Sequence, residues 1–120
     1  MTNFVRRFWL AALVVLAVGA GTVSGAIPQD PAYHSFADAR ACLGTANCAN
    51  VWSNLPFMLV GLYGLAEMVW AIRRGQFAGP WDAAPYFVFF LAVAAISAGS
   101  AFYHISPDTH RLYWDRLPIA

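Results

Sequence analysis

Ser97-Ala98-Gly99-Ser100-Ala101-Phe102-Tyr103-His104-Ile105-Ser106-Pro107-Asp108, running on to Trp114-Asp115-Arg116-Leu117-Pro118, is the stretch on which the reading of this chain turns. An apolar run of membrane-spanning length, residues 86–105, ends inside it. Written as a helix, the run puts Ser100 and His104 one turn apart on one face, with Ser97 a turn earlier. Ionisable groups at membrane depth are costly unless partnered, so such a histidine is read first as functional. Its natural partners are a metal ion or a carboxylate. Asp115, eleven residues beyond His104, is the carboxylate at hand.

Working outward, the composition fits that reading. Sixty per cent of the 120 residues are hydrophobic and 11% charged, against roughly 25% charge in soluble domains. The excess is gathered into three blocks and is not spread with an amphipathic period, which predicts an all-α integral membrane protein with three transmembrane helices. The net charge is +1 and the chain has no lysine, which excludes the basic footprint of a nucleic-acid binder. Cys42 and Cys48 stand alone in the connector between the first two blocks. No second pair accompanies them, so a structural zinc site of cysteines is not expected. They either form a disulfide, if that loop faces an oxidising compartment, or remain two small unlinked residues.

Phe8 to Ile27 is twenty residues without a charge, enough to cross roughly 30 Å as a helix. Arg6 and Arg7 before it, and Ser24, Gly25 and Ala26 at its end, would equally suit a cleaved signal peptide. Gly21 and Gly25 form a small-xxx-small pair that favours a retained, packed helix. Pro28 to Asn50 is a polar connector, either a solvated loop or one holding a short interfacial helix over Phe36–Leu43. The second span is expected at about 51–72, with Asn50 or Ser53 capping its start. Asn50, Ser53 and Asn54 would share a face there. Glu67, the one charge of that block, reads as a side chain reaching the interface near Trp70, Arg73 and Arg74. Arg73 to Ala84 reads as a polar turn bracketed by Trp70 and Trp81, and Pro85 as the start of the third span. Ala95, Ala98 and Gly99 would admit a neighbouring helix beside Ser100, and Pro107 would end the helix. Four arginines (6, 7, 73, 74) against three (40, 111, 116) favour an inside N-terminus, with His104 and Asp115 near the outer face.

The residues alone leave the site incomplete. A histidine beside Tyr103 at a helix end also suits an interfacial position. Ser100 also suits back-bonding to its own helix, and Asp115 also suits a solvated pair with Arg116. A catalytic zinc takes three protein ligands. His110 is the nearest second candidate, and i+6 puts it off the His104 face.

The pattern resembles the alkaline ceramidases of the CREST superfamily of membrane hydrolases. The resemblance is carried by Gly99-Ser100-Ala101-Phe102-Tyr103-His104 followed by Asp115-Arg116-Leu117-Pro118. Asn50-Val51-Trp52-Ser53-Asn54 is similar to the family's Asn-x-x-Ser-Asn, and Tyr33-His34-Ser35-Phe36-Ala37-Asp38-x-Arg40 to the connector of its bacterial members. The likeness covers about residues 33–120. It implies a seven-helix-type bundle with an intramembrane zinc ion held by His104 and by two histidines of a late His-x-x-x-His. Ser100 would stabilise the developing oxyanion, and Asp115 would orient or deprotonate the water. Ceramide-like N-acyl sphingoid lipids would be cleaved to a sphingoid base and a fatty acid.

The sequence departs from that pattern in two places. The late His-x-x-x-His is absent from these 120 residues. Asn47 stands where the eukaryotic members' acidic calcium-binding segment would have a glutamate, so calcium is not predicted. The chain is therefore expected to be residues 1–27, an added transmembrane helix or signal anchor, followed by 28–120, the N-terminal part of a ceramidase-like domain. That domain would sit in a bacterial inner membrane among lipids and supply one zinc ligand of three. Two rival expectations remain open: a receptor-like or lipid-sensing member of the superfamily, and a small structural membrane protein without catalysis.

Overall fold

The computed structural model describes residues 3–119. Met1, Thr2 and Ala120 lie outside the described residues. The described residues form five α-helices: α1 (Asn3–Ser24), α2 (Cys48–Trp52), α3 (Leu55–Arg73), α4 (Pro80–Ile105) and α5 (Thr109–Arg116). A 3-10 turn at Pro31–His34 interrupts the connector, and no strand is formed among the described residues. Asn3–Ser24, Cys48–Arg73 and Pro80–Ile105 are each long and apolar enough to cross a membrane. The three lie in a slab of 52 × 33 × 16 Å, close to one helix thick.

Local chemistry moves the expected boundaries. The second span breaks at Ser53–Asn54 into α2 and α3. Pro56 has no N–H for the carbonyl of Trp52, and its ring crowds that residue, so the first turn is set off from the rest. Neither Asn50 nor Ser53 caps the span. The cap positions are Asn47 for α2 and Asn54 for α3, neither with a side-chain cap bond. The expected shared face does exist locally. Ser53 Oγ and Asn54 Nδ2 both donate to the carbonyl of Asn50, at 3.0 and 2.9 Å. The third span begins at Pro80 rather than Pro85, so the polar turn shrinks to 74–79. Proline is preorganised for a first helical turn, and Asp82 lies in that turn where the helix dipole favours an acid. Pro85 sits inside α4, early enough for the helix to continue. Arg74 lies over the Trp70 ring at 4.3 Å and Arg7 over Trp81 at 5.9 Å, as an interfacial aromatic belt allows.

Helices that cross a lipid bilayer gain little by hiding apolar surface from one another, so in such a setting close packing would hold these together. Gly61 of α3 lies against the backbone of α4: a Cβ there would meet Ala94 N at 2.7 Å. Gly64, a turn on, leaves the space that the Phe90 ring fills. Among the described residues the buried ones are few: Gly61, Gly64, Met68, Ala83, Ala94, Ser97, Tyr103 and Leu112, with Cys48 at the start of α2. Ala94 therefore makes the close approach expected of Ala95, and Ala98 faces outward. Gly99 admits the returning α5 instead of another span, because a Cβ there would overlap the carbonyl of Trp114. The Gly21/Gly25 pair makes no packed seam either. Gly25 lies beyond the helix end with φ +67°, and α1 buries no residue.

Candidate functional site

The connector, α5 and the last turn of α4 gather at one end of the slab. Pro107 stops α4 at Ile105, and Asp108 reopens a helix by accepting the Arg111 N–H on its side chain at 2.7 Å. This turn folds α5 back along α4, bringing the Asp115 Cα to 3.4 Å from where a Gly99 Cβ would stand. Asp115 is thereby set beside the residue that precedes Ser100. The Asp115 side chain is 15% exposed and its Oδ2 lies 3.8 Å from Arg116 Nε.

His104 is held on two sides. Its carbonyl, freed at the helix end, accepts Asn47 Nδ2 at 2.8 Å. Its ring packs on Phe36 with centroids 4.6 Å apart. Nδ1 is buried and has no hydrogen-bond partner among the described residues. An unsatisfied buried polar atom is uncommon in native folds and calls for a ligand, a water or a catalytic role. Ser97, one turn before Ser100, is engaged elsewhere: it is buried and donates to the Asn54 carbonyl at 2.7 Å, tying the α2–α3 break to α4.

The connector reaches the site because its own chemistry fixes its path. The Asp38 carboxylate takes Arg40 in a fork, Nε at 2.8 Å and Nη2 at 2.9 Å, and Asn50 Nδ2 donates to the Asp38 carbonyl at 2.9 Å. Cys42 and Cys48 are joined in a disulfide with Cα atoms 5.4 Å apart, within the usual range. Inside that ring Cys42 and Thr45 exchange backbone hydrogen bonds around Leu43 and Gly44, both at positive φ, as in a tight hairpin turn. Asn47, also at positive φ, then points its amide at His104. The open choice between loop and interfacial helix resolves as a loop over Phe36–Leu43. His34 ties the entry of this loop down, its Nδ1 lying 3.0 Å from the Tyr103 hydroxyl and its Nε2 3.3 Å from Thr109 Oγ1.

Hydrogen bonding from Arg40 holds the Asp38 carboxyl down to about 2, below the ordinary 3.8. A depressed pKa gives a contribution that is complete above the unfolded-state value and is lost as pH falls through the folded one. The clip should therefore be intact from about pH 4 upward and open only near pH 2. Following the Asp38 carboxyl carbon by NMR across that range should give a midpoint near 2, and Arg40→Gln should return it toward 3.8.

Ser100, His104 and Asp115 are thus brought to one end of the slab, while His110 is exposed on α5 and outside the group. Reading the residues alone overlooked Phe36 and Asn47 as the groups that orient His104. Asn47 carried the one available signal, since asparagine tolerates left-handed backbone where most residues do not. A catalytic zinc needs three protein ligands. No three His, Cys, Asp or Glu side chains among the described residues are placed to share a metal. No protein-family model, curated protein or solved structure matches the chain.

Proposed function

We propose that this chain carries one corner of a membrane-embedded, zinc-dependent amide hydrolase of the ceramidase type. The observation that supports it most is the oriented His104 ring, its Nδ1 buried and unpartnered among the described residues. His104 would hold one coordination position, and the remaining donors would come from outside these 120 residues, within a seven-helix-type bundle. Zinc, when bound, supplies a water of near-neutral pKa and polarises the amide carbonyl.

The rest of the chemistry falls to this chain's own groups. The Ser100 hydroxyl donates a hydrogen bond to the carbonyl oxygen as charge develops on it. The Asp115 carboxylate takes a proton from the attacking water and returns it to the leaving nitrogen as the C–N bond breaks. A ceramide-like N-acyl sphingoid lipid would then yield a fatty acid and a sphingoid base. The disulfide in the connector supports the proposed placement in a bacterial inner membrane with the N-terminus inside, because such bonds persist in the oxidising periplasm.

The test is made on the intact gene product in detergent. Elemental analysis should find about one zinc per catalytic unit, and 1,10-phenanthroline should stop fatty-acid release from ceramide until zinc is restored. Activity that survives complete removal of metal would overturn the proposal.

A further inference from the structure

Between the end of α1 and α5 lies a cavity of about 400 Å3 that none of the groups above uses. Ile27, Leu112 and Leu117 give it apolar walls, and Gln29, Thr109 and Arg116 give it polar ones. It exists because α1 is propped against α5 rather than packed on it. The Tyr113 hydroxyl donates to the Gly21 carbonyl at 3.2 Å, Leu117 reaches Gly21, and α1 buries nothing of its own. The cavity opens where the apolar run of α1 ends at Ser24 and where α5 lies along the last turns of α4, which is headgroup depth for a membrane crossed by these helices.

Arg116 is the one charged residue in its lining. Its Nη2 donates to the Tyr33 hydroxyl, its Nε faces Asp115 at 3.8 Å, and its Nη1 makes no hydrogen bond among the described residues. The Arg116 side chain is 60% exposed against 15% for Asp115, and their 3.8 Å separation is a loose pairing that leaves the outward face of the guanidinium able to take another anion. A guanidinium fork matches phosphate oxygens, and the Gln29 amide, with one N–H on the Ile27 carbonyl at 3.3 Å, keeps a second N–H for the phosphate beside the apolar walls.

We infer that this cavity seats a phosphate-headed membrane lipid, its phosphate on Arg116 and one chain laid along α1. Neither hydrolysis nor a metal is needed for this, so it stands or falls apart from the proposed reaction. The full chain in detergent micelles is titrated with dioctanoyl phosphatidylglycerol and the bound lipid is counted by native mass spectrometry. Arg116→Gln should weaken retention about tenfold, the scale of one charge-assisted hydrogen bond. Ser24→Phe, which fills the cavity from the α1 side and leaves the guanidinium in place, should weaken it similarly. Arg111→Gln should not, since Arg111 lies over Phe102 outside the cavity. His104→Ala should not either. Retention unchanged in both cavity variants would overturn the inference. So would equal retention of dioctanoylglycerol, which lacks the phosphate, or displacement by inorganic phosphate at the concentration at which the lipid binds.

Discussion

His104→Ala in the intact gene product is expected to take fatty-acid release from ceramide down to the uncatalysed background, with protein yield unchanged. The two halves of that expectation have separate physical grounds. The side chain makes no hydrogen bond through Nδ1 among the described residues, and Asn47 binds the backbone carbonyl, which alanine retains. The structural loss is the ring contact with Phe36, about 1 kcal/mol for an aromatic pair. If His104 holds the proposed metal, a methyl group cannot take its place. The measurement is turnover beside a thermal melt in the same detergent. Full turnover in the variant would remove His104 from the chemistry, and a large fall in melting temperature would make it a packing residue. Asp115→Asn should be milder, lowering turnover about 10²–10⁴-fold, the range for a lost general base.

Gly99→Ala should be the most damaging change of a single methyl group. The new Cβ would overlap the Trp114 carbonyl, its oxygen and carbon both main-chain atoms that cannot rotate aside, and would come into contact with the Asp115 Cα. Either α5 lifts from α4 or the helix bends, at about 1–3 kcal/mol for overpacking of this kind. Because Asp115 rides on α5, turnover should fall with stability. Limited proteolysis between 106 and 108 should speed up in the variant. Ala98→Leu, one position earlier but facing outward, should stay within about 0.5 kcal/mol of the parent, as surface changes do. Equal effects at 98 and 99 would mean that α5 does not dock on Gly99.

The three apolar blocks made the helical class legible, because lipid-length hydrophobic runs leave the backbone few alternatives. The stop at Pro107 was legible too, since proline denies the helix a donor. Helix starts were less so. Pro80 and Pro85 both suit a first turn, and the earlier start goes with Asp82 in that turn and with the burial of Ala83. At the site, the Ser100–His104 spacing follows from helix periodicity alone. The approach of Asp115 does not, because it depends on how tightly α5 turns back, which Gly99 settles through a long-range backbone contact. Phe36 was beyond local pattern altogether, and Asn47 was legible only as a residue that tolerates left-handed backbone. They reach His104 across a loop whose course is fixed by a disulfide, a forked ion pair and three positive-φ residues acting together.

A slab 16 Å deep buries few residues. In the proposed enzyme a dry chamber around His104 would need a far wall from other polypeptide, so the groups here would set the chemistry but not the gauge of the chain that fits. Selectivity among long and short acyl tails would then belong to that second wall. Grafting a different wall onto residues 3–119 should change which tail is preferred while leaving the Asn47 and Phe36 clamp on the imidazole as it stands.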